Sequence, residues 1–524
     1  QDDWRVSHQL TLNLGVRYEW AGGPTEANKR ISNLNLDNKV SFGAAGAGPL
    51  GLLETGKPSF NSNNNWAPRI GFAWSPGNDN KTVVRGGYGI AYDFIYLNPI
   101  TNQRFLPPFI YSASLSGTSF GGANSYANLF AGTAAIQQQT SAAVGTLSTT
   151  LLNFGSISPA IAQNLANPQV QQWNLGVERQ LAGLVFKATY VGTKGTYLTR
   201  TRPINLIANP VPPATSLADE TARLAQFQSA FTGLSGGATS YSDRYDPRYN
   251  TVGYLESSAN SQYHALQLEV QKRVTNGLFL NVAYSWSKSI DDNSDALGVL
   301  INDSSAQQDP LDNRNNRGPS QFDLRHTLVV SHNYTLPFFQ NSSNRFLKQV
   351  LGGWSFAGIS SYRSGFPVNI YSGPRFKITD SIAPLGGSAV DRPNVAGDLS
   401  NFNPQPAGSP GSPAALGMTT VNGVPISAYA ASLGLSQPLL GNLGGLGRNV
   451  LRLNGQTNFD WDIYKNFPIK EKLNLQLRGE FYNMFNQVAF QGFTSNTITS
   501  VNFGVYNTLS QNPRLIQVAL RVVF

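Results

Sequence analysis

The chain has 524 residues, a formal net charge of +9, no Cys, and only 13% charged residues. No apolar stretch approaches the ~20 residues that a membrane-spanning helix needs, and the lack of Cys excludes disulfides, thiolate metal sites and a Cys nucleophile. The basic residues are scattered singly, so the positive charge argues against nucleic-acid binding.

Strict alternation of apolar and polar residues is the main pattern, and it first appears at residues 10 to 20. The alternate positions there are Leu10, Leu12, Leu14, Val16, Tyr18 and Trp20. A period of two is typical of a β-strand with one apolar and one polar face. The pattern recurs along the chain, and its last occurrence covers residues 514 to 524.

Short turns join pairs of these segments. We predict strands at 171 to 180 and 184 to 192, joined near Gly183, and at 262 to 274 and 278 to 288, joined by Asn276-Gly277. Asn-Gly between two alternating runs is the strongest short-range hairpin signal.

Long connections rich in Gly, Ser, Asn, Pro and Ala alternate with the short turns. They cover residues 21–65, 93–170, 193–261, 288–320, 365–456 and 485–513. Short turns on one rim, long loops on the other and strands of about ten residues are typical of a transmembrane β-barrel of the bacterial outer membrane. The predicted fold is therefore all-β, an antiparallel transmembrane β-barrel with its long loops outside the cell.

The segments number about thirteen, which is an odd count. Bacterial single-chain barrels have even numbers of strands, and large plugged transporters have 22. We therefore expect the chain to be the C-terminal part of a 22-strand barrel.

The two faces of the strands carry different residues. Charged side chains share the polar face, which we expect to line the lumen: Arg17, Glu19, Arg85, Glu178, Glu269, Asp460, Asp462, Arg478, Glu480 and Arg521. Aromatic residues near strand ends are expected to form girdles at the membrane interfaces: Tyr18, Trp20, Trp74, Tyr92, Trp286 and Trp461. An extracellular β-sandwich or propeller is the alternative, but its charges belong on a convex outer surface.

Several short strings resemble the barrel of TonB-dependent outer-membrane receptors, in particular the Oar-like group, which carries an N-terminal carboxypeptidase-regulatory-like domain. The strings are Gln1-Asp2-Asp3-Trp4-Arg5, Trp66-Ala67-Pro68-Arg69-Ile70-Gly71-Phe72, Phe322-Asp323-Leu324-Arg325-His326, Gly441-Asn442-Leu443-Gly444, Gly447-Arg448-Asn449 and Phe481-Tyr482-Asn483-Met484-Phe485-Asn486. They spread over nearly the whole chain.

This resemblance implies energised uptake of a bulky ligand, such as a siderophore, oligosaccharide or peptide, across the outer membrane. Its implied partners are outer-membrane lipid and the TonB complex, which would act through a plug and TonB box that this sequence does not show. An adhesion or surface-display protein without transport, and a passive porin, stay open as alternatives. None of these is an enzyme.

The C-terminus resembles the signal that the barrel-assembly machinery reads in outer-membrane proteins. It ends in the aromatic Phe524, with Val522, Leu520 and Val518 at the preceding alternate positions. The alternative is a final core strand that happens to end in Phe.

No catalytic motif occurs in a suitable context, and no cofactor is expected. The acidic loop at 288–320 contains Asp291, Asp292 and Asp295, whose oxygen atoms suit Ca²⁺. The spacing of an EF-hand loop is absent, so a solvated acidic loop is the alternative to a calcium site.

Overall fold

The computed structural model describes one large sheet of fifteen strands, thirteen of which form a continuous path, and a packed unit of loops at one end of it. The described residues are 2–20, 26–35, 52–55, 65–77, 81–94, 97–106, 157–163, 165–206, 212–232, 246, 252–275, 277–295, 307–373, 391–470 and 473–523. Much of the predicted loops 21–65 and 93–170 lies outside these ranges.

The thirteen strands follow one another in the sheet in chain order, and each is antiparallel to its neighbours. We number them β1 (Asp2–Arg5), β2 (Leu10–Glu19), β3 (Asn65–Trp74), β4 (Thr82–Tyr92), β5 (Gln169–Leu181), β6 (Leu184–Pro203), β7 (Val252–Thr275), β8 (Leu278–Asp291), β9 (His326–Thr335), β10 (Trp354–Arg363), β11 (Gln456–Lys470), β12 (Leu473–Tyr482) and β13 (Leu515–Val523). The predicted antiparallel β fold and its strand number are confirmed. β1 and β13 are the edges of the sheet, and within the described ranges no ladder joins them.

Connections at one end of the sheet are short because the turn residues adopt the required conformations. Ala182 and Gly183 both have positive φ between β5 and β6, and Gly277 has φ 76° between β7 and β8. Positive φ at both central positions is typical of the two-residue turn that fits the twist of a hairpin. Between β9 and β10 a helix, Arg345–Val350, begins at the cap Asn344.

β6 and β7 are much longer than predicted. β6 continues to Pro203 and β7 begins at Val252, with irregularities in register between Ser257 and Ser261. The two ends of the predicted loop 193–261 are therefore β-strand. The strand Ile157–Ile161 pairs in parallel with the start of β7. The extension is held by a small apolar core of Ile100, Ile161, Ala162, Leu165 and Leu255.

The connections β10–β11 and β12–β13 pack together into one unit, which we call the external cap (residues 365–373, 391–455 and 489–510). Short strand pairs within it join Pro367–Val368 with Leu451–Arg452, Asn394–Val395 with Leu435–Ser436, Gln405–Pro406 with Val505–Tyr506, and Met418–Val421 with Val424–Ser427. Its buried core consists of Val368, Ile370, Val424, Ile426, Tyr429, Ala430, Leu433, Leu435, Leu446, Leu451, Leu453, Phe493, Ile498, Phe503 and Tyr506. Two segments predicted as separate loops thus form one packed body.

The remaining elements are small. They are the antiparallel strands Ser32–Asn35 and Leu52–Thr55, the strand Gly318–Pro319 beside β8, the helices Leu97–Asn102, Leu217–Thr232 and Ala428–Ser432, and the 3-10 turns Gln103–Phe105, Leu399–Asn401 and Pro413–Leu416. None of the described helices is long and apolar enough to cross a membrane.

Candidate functional site

The polar face of the sheet is the first part of the candidate site. Residues paired across antiparallel strands point to the same side, so the register can be followed from strand to strand. It places all ten charged candidates on one face: Arg17, Glu19, Arg85, Glu178, Glu269, Asp460, Asp462, Arg478, Glu480 and Arg521. The ten candidates therefore share one face of the sheet, whereas Arg179, Lys272 and Lys288 lie on the opposite face.

Ion pairs between neighbouring residues connect part of this face. Arg478 lies 3.0 Å from Asp462 on β11 and 3.2 Å from Glu480 on its own strand. Lys187 on β6 lies 3.1 Å from Glu269 on β7. Such pairs stabilise a sheet modestly, by roughly 0.2–1 kcal/mol each. They compensate part of the charge on this face.

The opposite face is apolar and open to its surroundings. Val518 is 75% exposed and Leu520 65% exposed, which a water-soluble sheet would avoid. The girdle candidates within strands lie on this face: Tyr18, Trp74, Tyr92, Trp286 and Trp461. Trp20 directly follows β2 and is 66% exposed. Val522 continues the apolar face of β13, and Phe524 lies outside the described residues.

Buried arginines fasten the external cap to the loop after β8. Arg448 Nη1 lies 2.7 Å from Asp291 Oδ1, and it donates to the carbonyl of Asn316. Arg452 pairs with Asp323 in the same way. Because both members of the Arg448–Asp291 pair are almost fully buried, removing either would leave an uncompensated charge.

A third arginine completes this contact. Arg392 Nε donates to the carbonyl of Leu446 over 2.7 Å, and Nη2 donates to Asn315 Oδ1 over 2.7 Å. Burial, together with the charge of Arg448, lowers the pKa of Arg392 to about 10, so it stays a cation at neutral pH. The cap and the loop after β8 are therefore one polar-bonded assembly.

The carboxylates proposed for calcium do not form a metal cluster. Asp291 is occupied by Arg448 and also accepts from Ser294, while Asp292 Oδ1 accepts from the backbone N–H of Asn260. In the described part of the chain, no group of three His, Asp or Glu residues could hold a metal ion. Asp291 instead serves as the anchor for the cap.

Two cavities lie where the cap meets the thirteen-strand sheet, which we call the wall. One, of about 260 Å³, rests on the polar face and is lined by Thr327, Arg363, Gln456, Asn458 and Gln511. The other, of about 460 Å³, has Phe322, Phe366, Leu453 and Phe493 among its lining residues, with amide side chains beside them. Both could contact a solute that enters from the long-loop end.

The sequence analysis missed the cap and its arginines. One signal was present, since Asn422-Gly423 separates the strands Met418–Val421 and Val424–Ser427. Both turn residues have positive φ, as the Asn-Gly hairpin rule requires. The arginine contacts had no such local signal, because Arg448 and Asp291 are 157 positions apart.

Comparison with known families settles what kind of protein carries this sheet. The profile of the family described as "Outer membrane beta barrel domain" matches residues 1–517. The chain belongs to this outer membrane β-barrel family. Its predicted location in the bacterial outer membrane is thereby confirmed.

Among solved structures, the chain is similar to the outer membrane transporter YddB from Escherichia coli, with 10% identity over 88% of this chain and 41% of that one, and a TM-score of 0.43. It is also similar to a mutant of the ferric enterobactin receptor PfeA from Pseudomonas aeruginosa, in complex with enterobactin, with 11% identity over 99% of this chain and 44% of that one, and a TM-score of 0.42. The ferripyoverdine receptor of the same bacterium, bound to ferripyoverdine, has 8% identity over 99% of this chain and 37% of that one, and a TM-score of 0.38. The chain spans about two fifths of the length of these proteins. No curated protein gives a match.

Proposed function

We propose that this barrel wall and its cap belong to a TonB-dependent receptor of the Oar-like group, which imports a bulky ligand across the outer membrane. The family places the chain in that membrane. The string resemblances over the chain support the subgroup, and a folded cap at the long-loop end supports a ligand-receiving role. The proposed activity is transport and not catalysis.

The observation that carries the proposal is the continuity between the polar face and the cap. The polar face continues along β9, β10 and β11 to the cavity of about 260 Å³ under the cap, with Val329 and Ile359 among its residues. A solute that entered there would meet the polar side chains of Thr327, Arg363 and Gln456. We propose that this face lines the lumen, facing a plug or the water around it.

Energy-dependent uptake tests the proposal directly. The native gene is deleted and restored, and uptake of radiolabelled ferric siderophores, oligosaccharides and peptides is measured with and without functional TonB. A TonB-dependent receptor predicts that restored uptake of at least one probe disappears without TonB. Uptake that is insensitive to TonB would indicate a passive porin, and no uptake of any probe together with loss of cell adhesion would indicate a display protein.

The lumen assignment has a separate test, because the chain has no native Cys. Arg521→Cys and Leu520→Cys place single thiols on adjacent residues of opposite faces of β13. We expect a membrane-impermeant maleimide to label the Arg521→Cys variant and to leave the Leu520→Cys variant unlabelled in intact membranes. Equal labelling would contradict the assignment of the faces.

We also propose that Phe524, with the alternate residues Val522, Leu520 and Val518, is read by the barrel-assembly machinery. Deleting Phe524 should slow the appearance of heat-modifiable, folded protein in the outer membrane. A deletion of Gln1, at the opposite end of the chain, serves as the control. Assembly at the normal rate without Phe524 would refute this role.

A further inference from the structure

A cluster of basic side chains lies directly above the aromatic girdle on the lipid-facing side of β6, β7 and β8. The register gives three rows of residues here, from the membrane outward: Tyr190, Leu266 and Trp286; then Gly192, His264 and Lys288; then Lys194, Gln262 and Ile290. Successive rows are two residues apart, which is about 7 Å along a strand. The cations therefore begin one step above Trp286.

The lower rows enclose an apolar cavity that opens toward lipid. Its volume is about 370 Å³, and Tyr190, Leu266 and Trp286 line it together with Lys288 and Arg325 at its edge. In the second row a Cβ at Gly192 would lie 2.2 Å from an atom of the Trp173 ring, so this position needs glycine. The lining of the cavity is mainly apolar, which suits a hydrocarbon chain.

Two tyrosine–histidine pairs lie on this face, and the first of them, Tyr190 with His264, lines the cavity. Tyr190 Oη lies 2.7 Å from His264 Nδ1, and Tyr284 Oη lies 2.8 Å from His326 Nδ1. The rings of each pair are also stacked. Because these polar atoms satisfy one another, the surface presents ring faces and leaves the hydrogen-bonding role to the cations above.

The upper rows form a second cavity, of about 250 Å³, that is lined by three cations and two carboxylates. Lys194, Arg314 and Arg317 line it. Its two carboxylates are already engaged, Asp291 by Arg448 and Asp292 by the backbone of Asn260. Among the described residues, the side chains of Lys194, Lys288, Arg314 and Arg325 have no ion-pair partner, whereas Arg317 donates to Gln262 Oε1.

We propose that this surface binds a phosphorylated, acylated glycolipid of the outer leaflet, of the lipid A type. One acyl chain would occupy the apolar cavity, and the phosphates would contact Lys288 and Arg325, with Lys194, Arg314 and Arg317 above them. Charge-assisted hydrogen bonds from Lys and Arg are the usual protein contacts to phosphate, and basic pockets beside membrane-spanning segments bind lipid head groups. The inference needs the outer-membrane location only and does not depend on transport.

The position of the cluster favours a lipid of the outer leaflet over a soluble anion. A soluble phosphate would need only the cations, whereas here an apolar cavity at membrane depth lies immediately below them. Long loops of outer-membrane barrels face the cell exterior, so this rim lies at the level of the outer-leaflet head groups. Phosphatidylglycerol lacks the paired phosphates that five cations over two cavities would accommodate.

Native mass spectrometry of the detergent-purified protein, titrated with diphosphoryl lipid A, tests this proposal. We expect the double variant Lys288→Gln/Arg325→Gln to bind about tenfold more weakly, because two charge-assisted contacts are lost. The matched control, Arg179→Gln/Lys272→Gln, removes two cations from the same face at the short-turn rim and should bind like the wild type. The charge-retaining variant Lys288→Arg/Arg325→Lys should keep most of the affinity, and heat-modifiable migration on gels verifies that each variant is folded.

Removing the phosphates from lipid A should weaken binding to wild type about as much as the double Gln variant does. The proposal is overturned if the folded double variant binds diphosphoryl lipid A as tightly as wild type, or if dephosphorylated lipid A binds equally well. Equal affinity for phosphatidylglycerol would also overturn it, because any anionic lipid would then suffice.

Discussion

The wall and the external cap place their apolar residues in opposite ways. In the wall, Val518 and Leu520 are mostly exposed, whereas in the cap Ile426 and Phe503 are fully buried. The wall is held by backbone ladders between chain neighbours and leaves its apolar side chains on an open surface, as strands that face lipid do. The cap buries an apolar core of its own, as a water-soluble domain does.

The wall and the cap also differ in the burial of their ion pairs. Some ion pairs on the polar face of the wall are half-exposed, such as Lys187 with Glu269, although Arg200 and Glu256 in the extension of β6 and β7 form a largely buried pair. The cap instead uses almost completely buried pairs, such as Arg448 with Asp291, at its contact with the loop after β8. Because surface pairs contribute little while a broken buried pair is costly, substitutions in the two regions should differ greatly in effect.

The largest expected effect comes from breaking the buried pair of the cap. Arg448→Ala leaves Asp291 buried and uncompensated, and such a loss costs about 3–5 kcal/mol. Hydrogen exchange of cap amides should accelerate strongly, while wall amides keep their protection. The control, Arg345→Ala, removes an exposed cation at the short-turn end. Unchanged cap protection in the Arg448→Ala variant would show that the cap does not depend on this contact.

A charge placed on the lipid-facing side of the wall should have the next largest effect. Leu520→Arg puts a cation on the apolar face of β13, at a cost of about 2–4 kcal/mol near the membrane midplane. Gln517→Arg adds the same charge to the polar face, opposite Glu480, and should change stability little. Urea titration of protein folded into vesicles measures both. Equal destabilisation would contradict the assignment of lipid and polar faces.

The sequence predicted the wall well because the wall is a local, periodic structure. Alternation from Leu10 to Tyr18 reports which side chains share a face, and one-residue slips would move every apolar residue to the polar side. The same rule located all thirteen strands. It failed to extend β6 and β7 because Gly192, Gly195 and the Ser and Asn residues near 257–261 interrupt the pattern, while contacts with Ile161 and Leu255 stabilise the extension.

The fold of the cap was not predicted because its sequence has no periodic alternation of apolar and polar residues. Its core joins residues as distant as Val368 and Tyr506, and its anchor joins Arg448 to Asp291. A composition rich in Gly, Pro and Ser is typical of loops, and only the Asn422-Gly423 hairpin had a recognisable local signal. The candidate site therefore divides into a wall that sequence patterns predict and a cap that only the three-dimensional contacts define.

The smallest expected effect concerns buried tyrosines of the cap at alkaline pH. The Tyr506 hydroxyl accepts from the backbone N–H of Asn454 over 2.9 Å, and burial raises the pKa of Tyr506 above its ordinary value. Burial raises the pKa of Tyr429 as well. The unfolded-state pKa of tyrosine is near 10, and below that pH the raised folded-state pKa has no effect on the free energy of unfolding. As the pH rises from the unfolded-state pKa through the folded-state pKa, the free energy of unfolding falls.

We therefore expect the cap to open above about pH 10 while the ladders of the wall persist. Tyr506→Phe should cost about 1 kcal/mol at neutral pH, through the lost hydrogen bond to Asn454, and should make the alkaline loss of cap stability shallower. Tyr197→Phe, at an exposed wall residue, is the control. Tyrosinate absorbance and cap hydrogen exchange, followed over the same pH range, measure the two effects. If the wall and cap lost structure together, they would be one cooperative unit, and the contrast between them would hold for side-chain placement but not for stability.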